Sequence, residues 1–196
     1  TAPREIQSKV LLESCAVCEV DHEQLLAISG VDCKVHLYVS GGDEREMKEV
    51  AVLSGHQDWI RSLAFSRPIP PVEAPGQPVA SGVLLATGSQ DTKVRIWRIV
   101  RTGGGATWNG KVDAVLGGHD DWVTAVTWIG TDRLLTGSID RTITLWAPDS
   151  GSGVWMSALR VWGVPGNVLG GSVYGFRSIA VGGGGRYNGL VRDLGG

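Results

Sequence analysis

Cysteine is scarce in this sequence, and its pattern argues against both a disulfide framework and a four-ligand zinc site. Three of the 196 residues are cysteines, which is an odd number. Cys15 and Cys18 form a CxxC, but no second CxxC follows to complete a four-ligand site. This usage indicates a reducing, intracellular compartment. We therefore expect a cytoplasmic protein and leave an additional nuclear location open.

Long apolar runs and an excess of one charge are also missing. No apolar stretch approaches the roughly 18 to 20 residues that span a bilayer, and the first residues lack the basic and apolar regions of an export signal. The formal net charge is -2 and the isoelectric point is near 6.1. Because basic and acidic residues nearly cancel, no global field attracts nucleic acid or a membrane surface. Local patches must therefore select the partners, and no membrane partner is predicted.

A sustained 3.6-residue apolar period of helical length is absent too. Short runs rich in Val, Ile, Leu, Thr and Trp instead recur between turn-forming Gly, Asp, Asn and Ser residues. The pattern predicts an all-β protein whose strands fall into three groups of four. The expected strands are 14–20, 25–29, 35–39, 49–53, 59–65, 83–88, 93–97, 111–116, 122–128, 133–137, 142–146 and 154–159.

Two blocks of sequence occur twice in the same order. GHQDWIRSLAF at 55–65 aligns without a gap with GHDDWVTAVTW at 118–128. LLATGSQDTKVRIW at 84–97 aligns with LLTGSIDRTITLW at 134–146 if one residue is allowed for near the start. A weaker copy, LLAISGVDCKVHLY, places Asp32 and Tyr38 where Asp91 and Trp97 stand. Repetition at this spacing predicts stacked structural units.

The repeats divide the chain into four expected units. These are a degenerate unit at 1–53, a unit at 54–116 with a proline-rich insertion at 66–82, a compact unit at 117–160, and an incomplete unit or Gly-rich tail at 161–196. The insertion contains Pro68, Pro70, Pro71, Pro75 and Pro78. Proline cannot donate to a sheet ladder, so this segment is expected to be a protruding loop. It is either a partner-binding arm or a tolerated insertion.

The Gly-His turn, the strand that ends in Gly-Ser, the Asp turn and the strand that ends in Trp together resemble WD repeats. Arg98 and Ala147 depart from the family by following Trp97 and Trp146, where an Asp often stands. The resemblance implies a β-propeller, and this chain would supply about three blades plus part of a fourth in an incomplete ring. It also implies that one His, one Asp, one strand hydroxyl and one Trp form a buried hydrogen-bonded network in each blade.

These network residues follow from the resemblance, residue by residue. They are His56, Asp91 and Trp97 in one blade and His119, Asp140 and Trp146 in the next. The hydroxyl is Thr87 or Ser89 in the first network and Thr136 or Ser138 in the second, and the sequence cannot choose because residues two apart share a strand face. The implied role of all of them is structural.

A more specific resemblance comes from LWAPDSGSGVW at 145–155 together with both Gly-His blocks and ISGVDCKVHLYV at 28–39. These pieces resemble the Elongator subunit 2 family of WD-repeat proteins over roughly residues 10–170, and the match fades after Asn167. The resemblance implies a non-catalytic scaffold of the Elongator complex, which supports modification of wobble uridines in tRNA through protein–protein interactions. Its implied partners are the largest and the catalytic Elongator subunits, and direct tRNA contact is left open. The alternative is another WD-repeat adaptor, such as a ubiquitin-ligase substrate receptor or a signalling scaffold.

No catalytic, cofactor-binding or metal-binding residue is predicted, and the protein is not expected to be an enzyme. Cys15 and Cys18 are three apart on an expected strand and point to opposite faces, which suits packing better than joint ligation with Cys33, His22 or His36. No GxSxG elbow is present. The run GGGGRYNG at 182–189 lacks the strand and helix that a dinucleotide fingerprint requires.

Two groups of residues are candidates for an interface. Asp58-Trp59 and Asp121-Trp122 directly follow the Gly-His turns, so in a propeller they lie near one rim of the disc. Large aromatics beside charges are typical of binding hot spots, although they also close the top of ordinary WD blades. Arg95 and Arg98, with Arg101, are candidates for contacts with RNA phosphate or an acidic partner, or else form a solvated edge.

Overall fold

A computed structural model of the chain describes residues 10–41, 47–69, 81–102, 107–162, 175–181 and 189–190. Within these residues every regular element is a strand, and the strands form three four-stranded antiparallel sheets and one two-stranded pair. In each large sheet the strands follow one another in chain order as a meander. The predicted all-β class and the predicted organisation into propeller blades are confirmed.

The first sheet contains four strands. Its strands are β1 (Leu12–Val20), β2 (Glu23–Gly30), β3 (Lys34–Gly41) and β4 (Lys48–Ser54). Asp21 and His22 join β1 to β2 and both have positive φ angles, 50° and 65°. A two-residue turn of this kind matches the right-handed twist of the strands it connects.

The second and third sheets repeat the same plan. The second contains β5 (Ile60–Phe65), β6 (Gly82–Ser89), β7 (Val94–Thr102) and β8 (Thr107–Leu116). The third contains β9 (Val123–Ile129), β10 (Arg133–Ser138), β11 (Thr142–Pro148) and β12 (Trp155–Trp162). A short pair, β13 (Ala180–Val181) and β14 (Gly189–Leu190), follows. β7 and β8 are longer than expected because Thr102 still pairs with Thr107.

Apolar side chains between neighbouring sheets hold the blades together. One buried cluster includes Leu37 from the first sheet with Ile60, Leu63 and Trp97 from the second. Another joins Ile96 of the second sheet with residues of the third, including Leu134 and Trp146. Burying a side chain of this size contributes about 1.5–3 kcal/mol, so each interface is a major source of stability. The innermost strands of neighbouring sheets, β1 with β5 and β5 with β9, also contact each other.

Glycine permits close approach between neighbouring parts of the fold at two equivalent positions. A Cβ atom on Gly88 would lie 2.8 Å from Cγ1 of Val123 on β9. At the equivalent Gly137, a Cβ atom would lie 2.7 Å from Cδ1 of Ile179. Residues 175–181 therefore lie against the third sheet much as β9 lies against the second. The incomplete unit expected at 161–196 stays a prediction beyond this segment.

An irregularity recurs in the outermost strand of each sheet. The pairing register skips one residue, which is Val50 in β4, Asp113 in β8 and Ala158 in β12. A bulge of this kind bends the strand and re-aims the side chain of the extra residue. Among the three bulge residues, Asp113 alone carries a charge.

The described residues cover only part of two further features expected from the sequence, the proline-rich insertion and the Gly-rich run. Of the proline-rich insertion, Pro68 lies in the described part of the chain, and Ile69 pairs with Gly82. Residues 70–80, with the other four prolines, lie outside it, as do residues 182–188 of the Gly-rich run. No helix in the described ranges has the length and apolar character needed to span a membrane.

Candidate protein-interaction surface

A buried hydrogen-bonded chain links the Gly-His turn to the second sheet. His56 lies between β4 and β5, and its Nδ1 is 2.8 Å from Oδ2 of Asp91 while its Nε2 is 2.7 Å from Oγ1 of Thr87. The indole N–H of Trp97 donates to the same Thr87 oxygen at 3.1 Å. Since a carboxylate only accepts, the His56 proton lies on Nδ1, and the Thr87 hydroxyl then donates to Nε2.

The third sheet contains the same chain of bonds. His119 Nδ1 is 2.9 Å from Asp140 and Nε2 is 2.8 Å from Thr136, whose hydroxyl oxygen accepts the Trp146 indole N–H at 2.8 Å. The structure thus selects Thr87 and Thr136 from the two pairs of hydroxyls that the sequence left open. The side chain of His56 has no exposed surface and that of His119 is 1% exposed. Neither imidazole is accessible to a substrate.

Ser89 and Ser138, the other two candidate hydroxyls, make hydrogen bonds outside these networks. Ser89 donates to the carbonyl oxygen of Asp58 at 2.9 Å and accepts the backbone N–H of Asp91 at 3.1 Å. Ser138 makes the matching bonds to Asp121 and Asp140, at 3.1 and 3.0 Å. Each serine therefore ties the connection before a blade to the turn within it.

The charge state of the network follows from its surroundings. Burial alone raises the pKa of Asp91, but hydrogen bonds from His56 and from the backbone N–H of Gln57 outweigh burial and lower that pKa to about 2. Burial lowers the pKa of His119, although Asp140 opposes the change. In the third sheet, an ionised Asp140 beside a neutral His119 imidazole satisfies the donors and acceptors described above. This arrangement braces the blade.

The first sheet uses a different histidine, which the sequence comparison did not anticipate. Ile28 stands where Thr87 stands in the second sheet, so the hydroxyl is missing. His36 on β3 instead places Nε2 2.9 Å from Asp32 and Nδ1 2.7 Å from Glu49 on β4. Burial lowers the pKa of His36, but the hydrogen bonds to Asp32 and Glu49 outweigh it, so the pKa is raised. The signal in the sequence was the turn residue Asp32, four residues before His36, because the contact with Glu49 depends on the pairing of β3 with β4.

This histidine makes the stability of the first sheet depend on pH. Because the pKa of His36 is raised on folding, its stabilising contribution is complete below the unfolded value of 6.5 and is lost as pH rises through the folded value. We expect the melting-temperature difference between wild type and His36→Gln in the complete protein to shrink between about pH 5.5 and pH 9. A thermal melt series checks this. A melting-temperature difference that grows with pH would contradict the assignment. Because the other histidines are the same in both proteins, their titration cancels in the comparison.

The candidate interface residues next to the Gly-His turns are held in matching positions on neighbouring blades. Oδ1 of Asp58 accepts the backbone N–H of Trp59, and Oδ1 of Asp121 accepts that of Trp122, each at 2.7 Å. The carbonyl oxygens of Trp59 and Trp122 accept backbone bonds from Gln90 and Ile139. Trp59 and Trp122 nevertheless remain 40% and 41% exposed. We call Asp58, Trp59, Asp121 and Trp122 the tryptophan rim.

The arginines of β7 do not form one basic patch. Arg95 donates to the carbonyl oxygen of Gly55 at 2.7 Å, Arg98 pairs with Asp113 at 2.8 Å, and Arg101 pairs with Glu23 at 2.7 Å. Three residues apart on a strand alternate between faces, so Arg98 points away from the other two. Arg95 and Arg98 therefore lie in separate environments, and only the second is half exposed, at 48%.

The cysteines do not come together in the structure. Among the described residues, no group of three or more His, Cys, Asp or Glu side chains is placed to hold a metal ion. Cys18 is half-buried, and burial raises its pKa to about 12. Cys33 occupies a turn between β2 and β3 with a φ of 62°. Burial and the charges of Asp58, Asp32 and Asp91 raise its pKa, which makes the thiol a poor nucleophile.

Comparisons with known proteins agree with the repeats seen in the fold. The family model described as WD domain, G-beta repeat matches residues 78–98 and 110–147. Proteins named Elongator complex protein 2 are similar to this chain. The one from Dictyostelium discoideum is 31% identical over 74% of the chain and 22% of its own length. The one from Mus musculus is 31% identical over 82% of the chain and 22% of its own length. The one from Saccharomyces cerevisiae is 29% identical over 72% of the chain and 20% of its own length.

The chain spans only about a fifth of these relatives, between 20% and 22% of their length in the comparisons above. A chain in a solved structure of a humanized mutant of the Chaetomium thermophilum Polycomb Repressive Complex 2 is also similar. It has a TM-score of 0.49 and 22% identity, and it matches 72% of this chain and 27% of its own length. At that TM-score the likeness carries no further weight.

Proposed function

From its membership of the WD-repeat proteins, we propose that this chain serves in a non-catalytic scaffold subunit of the Elongator complex. In this role it supports modification of tRNA wobble uridines by holding other subunits in place. Relatives named Elongator complex protein 2 in a slime mould, a mammal and a yeast support the assignment. The tRNA reaction itself takes place on another subunit.

The observation that supports the scaffold role is that two histidine side chains, which could otherwise act as acids or bases, are hydrogen-bonded inside the blades. The buried imidazoles of His56 and His119 are each bonded to an aspartate and a threonine. General acid–base catalysis needs a group within reach of a substrate proton, and these groups face the blade interior. What the blades present outward is a rigid backbone with exposed indoles, which is suited to binding.

The tryptophan rim is the proposed contact surface. Its two indoles are exposed although the backbone around them is bonded on both sides, so little conformational entropy is lost when a partner covers them. Large preorganised aromatics of this kind commonly dominate the binding energy of an interface. The proposed partners are the largest and the catalytic Elongator subunits. Direct tRNA contact remains a prediction, and so does a cytoplasmic and nuclear location.

Replacement of the rim indoles tests this role in the complete protein. We expect Trp59→Ala with Trp122→Ala to weaken co-purification of the proposed subunits by about tenfold or more, because hot-spot aromatics typically contribute at least about 2 kcal/mol. Modified wobble uridine, measured by mass spectrometry of cellular tRNA, should fall in parallel. Both tryptophans are half exposed, so the fold should survive.

The matched control keeps the aromatic surface. Trp59→Phe with Trp122→Phe should retain most of the co-purification, whereas the alanine pair should not. If the wild-type protein purifies under gentle salt without either of the proposed subunits, the Elongator assignment is wrong. If the subunits bind normally to the alanine variant, the assignment stands and the rim is not the contact surface.

A further inference from the structure

A groove runs along the outside of the molecule between the second and third sheets. It consists of two adjoining cavities of about 480 and 330 Å³, and both are lined by Arg98, Asp113, Gly153 and Trp155. We call this surface the β8 groove, because four consecutive residues of β8, 113–116, form one of its walls. The opposite wall is the turn between β11 and β12.

The backbone along one wall of the groove is open to pairing. β8 is the last strand of its sheet and pairs only with β7. No backbone bond from another described residue reaches its outer edge at 113–116. An edge strand presents a row of N–H and C=O groups that an additional strand can satisfy. The groove therefore offers main-chain hydrogen bonds to an extended segment.

The opposite wall is rigid. The Asp149 carboxylate accepts the backbone N–H groups of Gly151 and Ser152 at 3.2 and 2.9 Å and the Ser152 hydroxyl at 2.8 Å. Trp155 packs edge-on against Trp128 with ring centroids 5.8 Å apart. The motif WAPD followed by GVW, which distinguishes this sequence from a generic WD repeat, thus builds and immobilises the groove wall. A preformed wall lowers the entropic cost of binding.

A charged pair sets the second blade apart from its neighbours. Arg98 and the bulge residue Asp113 stand where the first sheet has Val39 and Val50 and the third has Ala147 and Ala158. Only Nε of Arg98 is bonded, to Oδ1 of Asp113, and no other bond to the guanidinium is found among the described residues. The pair therefore presents donors and a carboxylate oxygen side by side. That combination suits the alternating carbonyl and N–H groups of a peptide backbone.

The apolar floor of the groove continues an established interface. Leu84 and Leu116 are buried members of the cluster between the second and third sheets, and Trp155 packs against that cluster. An apolar side chain placed on Trp155 would extend the same core outward. From the free edge, the rigid aromatic wall and the isolated charged pair, we propose that the β8 groove binds an extended strand of a partner protein with alternating apolar residues.

The test uses the full-length protein and a displayed library of random nonapeptides. Selection is performed on the wild type alone, and the selected peptides are then tested on the Arg98→Ala and Asp113→Ala double variant. That variant gives the second blade the two alanines that the third blade has at these positions, so it is expected to fold. A thermal melt verifies that it does. Selected peptides should have alternating apolar residues, and their synthetic forms should bind the double variant about tenfold more weakly or worse.

A matched control and a footprint locate the binding. Arg61→Ala removes a comparable ion pair, 2.9 Å to Glu13, on the inner strands and should leave affinity unchanged. Hydrogen exchange should show that the selected peptide protects the amides of 111–116 but not those of the outer strand of the third blade. The proposal is overturned by equal binding to the double variant or by a footprint elsewhere. It is equally overturned if 111–116 is already protected without peptide, by the protein's own chain or by a second copy.

Discussion

Replacing Trp97 or Trp146 by alanine in the complete protein is expected to lower the free energy of unfolding by about 3–5 kcal/mol. Each indole is almost fully buried, with 3% and 5% exposed, and packs between two sheets. Its removal leaves a cavity at that interface. It also removes the N–H that Thr87 or Thr136 accepts. Denaturant unfolding followed by far-ultraviolet circular dichroism measures the loss.

Two variants separate the contributions to this effect. Trp97→Phe keeps an aromatic ring but removes the donor, so its smaller cost, about 1–3 kcal/mol, reports the broken hydrogen-bonded chain. Trp162→Ala removes an indole that is 67% exposed on the outer strand of the third sheet. That change should stay within about 0.5 kcal/mol. An unchanged unfolding midpoint for Trp97→Ala would show that the indole is not a structural anchor.

Expressed alone, the 196-residue chain is expected to be poorly soluble or to self-associate, and to be stable only with the rest of its propeller or a partner. The outer strand of the third sheet exposes Met156, Leu159, Val161 and Trp162. WD-repeat rings usually close with about seven blades, so the flanking faces of three blades are left without their neighbours. Size-exclusion chromatography and analytical ultracentrifugation should give a mass well above 20.8 kDa.

Charge placed on the exposed strand supplies the control for that experiment. Met156→Lys with Val161→Lys should reduce association, because like charges on an edge strand oppose pairing between copies. The three sheets should otherwise keep their circular dichroism spectrum. A monodisperse monomer of the unmodified chain that melts cooperatively would contradict the prediction.

The buried hydrogen-bonded networks show how much of the structure the sequence repeats predict by themselves. His56, Asp91 and Trp97 were predicted from the repeated landmarks, and the six-residue spacing from Asp91 to Trp97 recurs from Asp140 to Trp146. Choosing Thr87 over Ser89 required coordinates, because both side chains point to the same face of β6. Thr87 and Ser89 differ in their position along β6 relative to the Trp97 indole. That position depends on the pairing register between β6 and β7.

The arginines and His36 show where pattern alone misleads. Arg95 and Arg98 are close in sequence and look like one basic group, yet alternation along β7 directs them to opposite faces of the sheet, where their partners are Gly55 and Asp113. His36 matches no landmark of the repeat. Its role depends on Glu49, which is brought beside it by the pairing of β3 with β4. A contact across strands cannot be read from the spacing within one strand.

The amino-acid sequence by itself determined the strand class, the order of the strands and the repeat of blades, because alternation, turn residues and self-similarity are local properties written along the chain. The tertiary structure alone decided which hydroxyls complete the networks, how the arginines separate, and that the turn after Pro148 faces the free edge of β8. Those outcomes depend on strand register, bulges and the stacking of one sheet on another. They are relations between segments far apart in the chain, and they exist only once the chain has folded.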